Sequence, residues 1–287
     1  MKSVLEKLQA RWEWLKTQNG FHRAPVRTGI RLISWRARCL VRRGTTVKLR
    51  RWNVRMSLPT QWRAMGEYIF PLREYYEPEL AYLEEVLSSG KVFLDVGANI
   101  GIYTLVASKL VGEAGRVVAF EPSIQSFPGL QRNVTLNGLT NVIAFRTALG
   151  EKTGRARLFH APDPVANSVR GDPAWGGESE EITVETLDRV TEQASIQHVD
   201  VIKIDAEGAE ELVLRGARRV LTVMRPVVIF EINPEACTRF GLSPNGARDL
   251  LQNLGYEFRV FHSNGTFFRP KLPPPYFNVV AMPRHPG

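Results

Sequence analysis

The sequence predicts an α/β protein with a doubly wound, mostly parallel sheet whose last strand runs antiparallel. From residue 78 onwards, apolar strands alternate with amphipathic helices, which is typical of parallel β-α-β units with right-handed crossovers. The first strand leads into a glycine-containing turn, as at the ligand sites of open sheets. The final two strands are separated only by a loop containing Pro273–Pro275, so we expect them to pair antiparallel.

The regular part begins with a helix, after which strands and helices alternate. PELAYLEEVLSSG (78–90) has Pro in its first turn and Gly after its end, the positions that each residue favours in a helix. The first three strands are predicted in KVFLDVG (91–97), RVVAFEP (116–122) and NVIAFRTAL (141–149), with helices in IGIYTLVASKLVG (100–112) and IQSFPGLQRNVTLNG (124–138).

The alternation is interrupted once before it resumes. RARLFHA (155–161) and EEITVETL (180–187) are typical of paired strands around a loop rich in Pro and Gly. Later strands are predicted in VDVIKID (199–205), RPVVIFEIN (225–233), YEFRVF (256–261) and FNVVAM (277–282). The interruption predicts an insertion at about 155–185 that acts as a lid over the sheet edge.

The N-terminal quarter carries most of the positive charge. The whole chain has a net charge of +9, and residues 1–75 alone hold 17 Lys/Arg against 4 Asp/Glu. Apolar residues at helical spacing predict a basic helical extension over 1–45, then a small β hairpin over 46–75 and the main domain over 76–287. We expect the extension either to pack on the main domain or to contact a membrane surface or a protein partner. Nucleic acid is a weaker expectation, because no recognised binding motif accompanies the charge.

Composition indicates a cytoplasmic protein. No apolar run approaches the ~20 residues that span a bilayer, and the charged first residues lack the apolar core of a signal peptide. Cys39 and Cys237 lie far apart and lack metal-ligand spacing, which favours a reducing compartment without a disulfide. If the basic extension contacts a membrane, the protein is expected to be peripheral there.

The turn after the first strand, DVGANIG (95–101), is a candidate cofactor loop. Gly97 permits a tight turn, and Gly101 lets the next helix begin close to the strand. The dinucleotide fingerprint would require glycines where this chain has Asn99 and Ile102. Asp95 would repel a pyrophosphate but suits a ligand with an ammonium and a sulfonium group. S-adenosylmethionine has both groups and no phosphate.

The second strand ends at Glu121, a position from which a carboxylate can accept hydrogen bonds from both ribose hydroxyls. Glu121 could instead simply precede a turn at Pro122–Ser123. Together with the preceding loop, it predicts binding of S-adenosylmethionine. Further cofactor contacts are expected from Glu77, Asn99, Thr104, Pro122, Ala148 and Asp205.

The sequence resembles the FkbM-type methyltransferases, a branch of the class I S-adenosylmethionine-dependent enzymes, over about residues 75–282. The resemblance is carried by VFLDVGANIGIYTL (92–105), VVAFEPS (117–123), TVETLD (183–188), VIKIDAEGAEELVLRGA (201–217) and VVIFEINP (227–234). It implies a Rossmann-like, seven-stranded sheet with a reversed last strand. It also implies methyl transfer, usually to a hydroxyl of a sugar, a glycan or a similar natural product.

Acidic residues follow the fourth and fifth predicted strands. Asp205 ends the fourth strand, Glu207 lies in the next turn, and Glu231 ends the fifth strand. Glu210 begins a helix, where the helix dipole and free N–H groups favour an acidic residue. Glu207 is equally compatible with capping and with facing the site. Three carboxylates could converge on a metal, but one segment does not establish this, and we expect no metal ion.

Methyl transfer is an in-line displacement, so the protein must align the acceptor oxygen and remove its proton. We hypothesise that Asp205 or Glu207 accepts the proton and that Glu231 orients the acceptor. Many relatives carry His two positions after this Glu, but this chain has Asn233, which cannot act as a base and is expected to bind the acceptor. The alternatives are a nicotinamide-dependent oxidoreductase and a non-catalytic cofactor-binding scaffold with a basic arm.

The segment HAPDPVANSVRGDPAWGGESE (160–180) is the candidate acceptor loop. Asn167, Ser168 and Arg170 are expected to hydrogen-bond hydroxyl groups, and Trp175 is expected to stack on a sugar face. The alternative is a connector that Trp175 anchors to the surface.

Overall fold

The computed structural model describes residues 16, 19–42, 44–59, 65–161, 167–171, 175, 177–261, 267–268 and 277–284. The amphipathic pattern at 4–15 and the prolines at 273–275 lie outside these residues. The described chain forms a two-stranded hairpin, a large mixed sheet and a small three-stranded sheet, with helices packed around them. Among these residues, no helix is both long enough and apolar enough to cross a bilayer.

The N-terminal region consists of two helices and a hairpin. Helix α1 (Asn19–Arg23) is followed by α2 (Pro25–Leu40), which has Pro in its first turn, where a missing N–H costs nothing. Strands β1 (Thr45–Leu49) and β2 (Val54–Leu58) pair antiparallel. The predicted hairpin is present, but it ends at Leu58, and the rest of the segment assigned to it contains a helix (Met65–Leu72) and a 3₁₀ turn (Arg73–Tyr75). The division of the chain into domains stays a prediction.

Helix α2 is fixed to the body of the protein. It packs on α3 (Met65–Leu72), where the rings of Trp35 and Phe70 lie 5.2 Å apart. A Cβ atom at Gly66 would lie 2.5 Å from the Trp35 ring, so only glycine admits this contact. A 3₁₀ turn (Arg73–Tyr75) then leads to α4 (Pro78–Val86).

The large sheet has the predicted topology. The remaining strands are β3 (Val92–Val96), β4 (Arg116–Phe120), β5 (Val142–Phe145), β6 (Ala148–Leu149), β7 (Gly154–Phe159), β8 (Ser179–Glu185), β9 (Val201–Ile204), β10 (Val227–Ile232), β11 (Tyr256–Phe261), β12 (Phe267–Phe268) and β13 (Phe277–Pro283). The order in the large sheet is β12-β11-β13-β10-β9-β3-β4-β5. Strands β10, β9, β3, β4 and β5 are parallel, and β13 runs antiparallel to both β10 and β11. The mostly parallel seven-stranded sheet with an antiparallel last strand is therefore confirmed, and the two-residue β12 adds an eighth strand at the edge.

Apolar packing on both faces makes the sheet doubly wound. Successive residues of a strand point to opposite faces, so Phe93 and Val201 belong to one buried cluster and Leu94 and Ile202 to the other. The surrounding helices are α5 (Ile102–Val111), α6 (Phe127–Leu136), α7 (Leu187–Gln193), α8 (Glu210–Arg215), a π-helical turn (Val220–Met224), α9 (Pro234–Arg239) and α10 (Gly246–Asn253).

The small sheet differs from the prediction in one strand. The sequence predicts a single strand in NVIAFRTAL, but the chain leaves the large sheet after Phe145 and joins the small sheet as β6. The hydroxyl of Thr147 donates to the carbonyl of Thr183 in β8 at 3.0 Å, which directs the chain towards β8. Strands β7 and β8 pair antiparallel, as RARLFHA and EEITVETL predicted.

Candidate active site

Four acidic residues lie where the parallel strands of the large sheet end. Asp95 is in β3, Glu121 directly follows β4, Asp205 directly follows β9, and Glu231 is the penultimate residue of β10. The backbone N–H of Asp205 donates to the carbonyl of Val96 at 2.9 Å, so the ends of β9 and β3 are joined. This edge is where open parallel sheets bind ligands.

The glycine turn brings the strand ends into contact. Gly97 has a φ of +78°, and a Cβ atom there would lie 1.8 Å from the carbonyl oxygen of Asp205. Its N–H donates to the carbonyl of Phe120 in β4 at 2.9 Å. Gly101 has a φ of +93°, and a Cβ there would lie 2.6 Å from the Leu130 side chain. Both positions require glycine because neighbouring protein segments approach them closely.

Asp95 is buried at the start of this turn. The hydroxyl of Thr104 donates to its carboxylate at 2.5 Å. Burial raises the pKa of Asp95 to about 6, although the Thr104 hydrogen bond and the nearby Lys203 charge oppose the rise. Thr104 is itself fully buried, and its hydroxyl orients the Asp95 carboxylate, while its contact with the cofactor stays a prediction.

Glu121 is held by the backbone on both sides. One carboxylate oxygen accepts from the N–H of Asn99 at 2.8 Å, and the other accepts from the N–H of Ser123 at 2.9 Å. Burial raises the pKa of Glu121 to about 7 despite these two hydrogen bonds. A carboxylate oxygen has more than one acceptor site, so each can still accept a hydrogen bond from a ligand hydroxyl. Pro122 lies half-buried between these contacts.

A buried lysine lies beneath the acidic edge. Lys203 is 1% exposed, and its ammonium group lies 3.1 Å from the side-chain oxygen of Asn278 and 3.5 Å from the Asp205 carboxylate. The same group lies 5.3 Å from the ring centre of Tyr103. Burial lowers the pKa of Lys203, but surrounding carboxylates, led by Asp205 and Glu77, raise it above its usual value. The ammonium group is therefore charged at neutral pH.

Two further carboxyl groups approach Lys203 from the start of α4. Glu77 accepts a hydrogen bond from the hydroxyl of Tyr103. Burial raises the pKa of Glu77, and the charge of Lys203 opposes this. Burial also raises the pKa of the neighbouring Glu79, to about 8. This places Glu77 in the same electrostatic network as Asp205, while its cofactor contact stays a prediction.

Asp205, Glu207 and Glu231 form a cluster of carboxylates. Each places one oxygen within 4.8 Å of the others. Burial, reinforced by the charges of Asp205 and Glu231, raises the pKa of Glu207 well above its usual range. Burial also raises the pKa of Glu231 to about 8, again with Asp205 nearby. Such a cluster can hold a proton or ligate a divalent cation, and the expectation of no metal stays a prediction.

Glu210 stabilises the turn between β9 and α8. One of its oxygens accepts from the N–H groups of Ala206 at 2.8 Å and Gly208 at 3.2 Å. Glu207 adopts a φ of +50° within the same turn, which is rare for a residue with a side chain. Glu210 therefore satisfies the backbone of a strained turn, which matches the structural role that the sequence favoured for it.

The predicted acceptor loop contacts this turn. The hydroxyl of Ser168 donates to the carbonyl of Glu207 at 3.2 Å. The Trp175 ring lies over the guanidinium of Arg239 in α9, with 5.3 Å between the guanidinium carbon and the ring centre. The side-chain oxygen of Asn167 accepts from the N–H of Ala161 within its own loop at 2.9 Å. The described part of the loop is thus anchored beside the carboxylate cluster.

Asn233 and Ala148, predicted to contact the acceptor and the cofactor, both make contacts within the protein. The side-chain oxygen of Asn233 accepts from the N–H of Ala236 at 3.1 Å and caps α9. Ala148 is half-buried in β6, paired with Val184 of β8. Their assignments to the acceptor and to the cofactor remain predictions.

A known protein family matches the part of the chain that contains the four acidic residues at the strand ends. The family described as Methyltransferase FkbM domain matches residues 95–258, more than half of the chain, from Asp95 into β11. The chain belongs to this family. It is therefore a methyltransferase that uses S-adenosylmethionine as its methyl donor, and the nicotinamide alternative is set aside.

Several relatives of this FkbM methyltransferase have been described. Methyltransferase sdnD of Sordaria araneosa is 26% identical over 229 residues, which cover 69% of this chain and 83% of that protein. Hexuronic acid methyltransferase AglP of Haloferax volcanii is 29% identical over 149 residues, covering 51% of this chain and 58% of AglP. The crystal structure of methyltransferase FkbM from Methylobacillus flagellatus KT is 19% identical and has a TM-score of 0.44, with coverage of 77% of this chain and 56% of the other.

The residues at the carboxyl edge of this FkbM methyltransferase fit S-adenosylmethionine. Glu121 retains acceptor sites for ribose hydroxyls, and Asp95 supplies negative charge beside the glycine turn. The cofactor brings an activated methyl group and a net positive charge. Buried carboxyl groups whose pKa values are raised towards neutrality become easier to ionise when a cation binds beside them.

The sequence identified most acidic residues of this edge but not Lys203. Asp95, Glu121, Asp205 and Glu231 lie at the strand ends where they were expected. Lys203 could have been noticed because it is the single basic residue in the otherwise apolar strand VIKI. A lysine in a buried strand requires an oppositely charged or polar partner, which would have indicated a site nearby. The catalytic and binding roles of these residues stay predictions.

Proposed function

We propose that the protein transfers the methyl group of S-adenosylmethionine to a hydroxyl group of a sugar, a glycan or a related natural product. The observation that supports this is the cluster of Asp205, Glu207 and Glu231 at the carboxyl edge, with the charged Lys203 beneath it. A hydroxyl is a weak nucleophile that must lose its proton near the transition state, and a carboxylate cluster offers acceptors for that proton.

In this proposal, Asp205 or Glu207 takes the proton of the acceptor hydroxyl. Burial raises the pKa of Glu207, so it can act as a base only because a cationic donor bound beside it favours its ionised form. The new O–C bond forms as the S–C bond of the donor breaks, and S-adenosylhomocysteine leaves. Glu231, whose pKa burial raises to about 8, is largely protonated at neutral pH and can donate a hydrogen bond that orients the acceptor. Holding the acceptor in line can supply ~7–11 kcal/mol of the barrier reduction.

An acidic sugar is the acceptor that we favour. Arg239 lies close enough to Glu207 to oppose the rise of its pKa, and its guanidinium stacks against Trp175. Its Nε atom is buried and has no hydrogen-bond partner among the described residues. A guanidinium and an aromatic ring together suit a sugar that carries a carboxylate. The similarity to a hexuronic acid methyltransferase is consistent with this choice.

The test is release of S-adenosylhomocysteine from the donor in the presence of a uronic acid or the corresponding neutral hexose. We expect turnover with the uronic acid, a strong loss of kcat for Asp205→Asn or Glu207→Gln, and a higher KM for Arg239→Gln. Asp249→Asn, at an exposed carboxylate in α10, is the matched control. Near-normal kcat in the Asp205→Asn/Glu207→Gln double variant would exclude a carboxylate base, because a single replacement can be partly compensated by the neighbouring carboxylate. If the two sugars were turned over equally and Arg239→Gln changed neither rate, the proposal of an acidic acceptor would be wrong.

A further inference from the structure

Helix α2 exposes a continuous apolar stripe. Its large aliphatic side chains recur at the spacing i, i+4, i+7 and i+14, so they share one face of the helix. These residues are Val26, Ile30, Ile33 and Leu40, continued by Val41 directly after the helix, and they are 63–76% exposed. Only nine large apolar side chains are exposed among the described residues, and five of them belong to this stripe.

The stripe is not the face by which α2 packs on the protein. Trp35 and Cys39 are buried on the other face of the helix. Arg31 donates to the carbonyl of Pro71 at 3.1 Å, and Arg36 lies 3.6 Å from the carboxylate of Glu67. These contacts fix the rotation of α2, so the apolar stripe is held outward. A concentration of exposed apolar side chains on a soluble protein indicates an interaction surface.

Positive charge borders the stripe. Arg27 and Arg42 are exposed near its two ends. The surrounding sequence, residues 14–66, contains 13 Lys/Arg and no Asp or Glu. A partner of this face must therefore combine an apolar interior with a negatively charged surface.

We infer that α2 docks the enzyme on an anionic lipid membrane, with its apolar stripe among the acyl chains and its arginines at the headgroups. A helix with an apolar face and basic flanks lies in the interface in this way, and both contributions are needed for stable binding. A second copy of the chain is disfavoured, because a symmetric contact through α2 would bring identical basic surfaces together. The inference does not depend on which acceptor the enzyme methylates.

The experiment is co-sedimentation of the whole 287-residue chain with vesicles of phosphatidylcholine alone or mixed with phosphatidylglycerol. We expect binding to the anionic vesicles, weakened by salt, and little binding to the neutral ones. Ile30→Gln/Ile33→Gln removes apolar contact while keeping a good helix former, and should weaken partitioning at least about tenfold. Arg27→Gln/Arg42→Gln should have a similar effect. Val223→Gln, at a side chain that is 72% exposed in the π-helical turn, should bind as the parent does.

Five results would overturn the inference. The first is the absence of binding to anionic vesicles, and the second is binding that neither double variant reduces. The third is a dimer in light scattering that Ile30→Gln/Ile33→Gln abolishes, since a second copy would then cover the stripe. The fourth is a clear fall in the thermal stability of that variant, because the stripe would then be covered by the chain itself. Binding that requires an acidic protein in place of lipid would likewise exclude a membrane.

Discussion

Replacing Lys203 with Met removes the buried positive charge beneath the carboxylate cluster while nearly preserving side-chain volume. Lys203 lowers the pKa of both Glu77 and Glu231, in opposition to burial. Without it, these carboxyl groups should bind protons more tightly. The base function of the cluster should then require a higher pH.

The size of this effect follows from the separation of the charges. The ammonium group of Lys203 lies 3.5 Å from the carboxylate of Asp205. Coulomb's law at this distance gives about 1 kcal/mol in bulk water and about 5 kcal/mol at an effective dielectric constant of ~20. Because the Asp205 side chain is 41% exposed, water screens the pair and the lower part of this range applies. We therefore expect about 1–2 kcal/mol, or roughly tenfold in rate at neutral pH.

The assay is the pH dependence of kcat/KM, with unfolding measured in parallel. The ascending limb of the Lys203→Met variant should move to higher pH by about one unit, since 1.4 kcal/mol corresponds to one unit of pKa. Lys203→Arg keeps the charge, so its ascending limb should lie close to that of the parent protein. Lys109→Met replaces an exposed lysine and serves as the control. A folded Lys203→Met variant with an unshifted limb would refute the reasoning.

Three other outcomes are expected from the same contacts. Glu121→Gln should weaken S-adenosylmethionine binding by roughly 10–100-fold in calorimetry, because a charged hydrogen-bond acceptor is lost, whereas Glu181→Gln, 68% exposed, should not change it. Burial raises the pKa of Glu79 from 4.5 to about 8, so the stability linked to its proton is complete below about pH 4.5 and is lost as the pH rises through about 8. Denaturant titrations should show the free energy of unfolding falling over that range, and Glu79→Gln should flatten the fall. Exhaustive chelation should leave turnover unchanged, and a loss restored by Mg²⁺ would instead assign Asp205, Glu207 and Glu231 to a cation.

The features that the sequence predicted are those set by local patterns. Apolar strands that end in Asp95, Glu121 and Asp205 were recognisable because each run of strand-forming residues stops at a charged residue. The antiparallel pairing of β11 and β13 was expected because the sequence between them is a loop containing Pro273–Pro275, without the pattern of a crossover helix. Since parallel strands end at the same edge, their terminal carboxylates had to meet there.

The features that the sequence missed depend on contacts between distant segments. The sequence predicts that Gly97 makes room for a ligand, but a side chain there would first collide with the carbonyl of Asp205, 108 positions later in the chain. The third predicted strand divides because Thr147 hydrogen-bonds Thr183 in the inserted sheet. Asn233 was expected to bind the acceptor, which stays a prediction, and the sequence did not indicate that its side-chain oxygen also caps α9. Side-chain type alone does not reveal which of two available partners a residue uses.

The charges at the carboxyl edge titrate together. Lys203 interacts with Asp205, Glu77 and Glu231, and Asp205 in turn raises the pKa of both Glu207 and Glu231. A proton gained by one carboxyl group therefore changes the affinity of the others, so the pH–rate profile reports values that belong to the cluster. For the same reason, an amide at one position makes its neighbours ionise more easily. A base that is replaced can then be partly substituted by the next carboxylate, and the contributions of Asp205 and Glu207 can be separated only when both single variants are compared with the double variant.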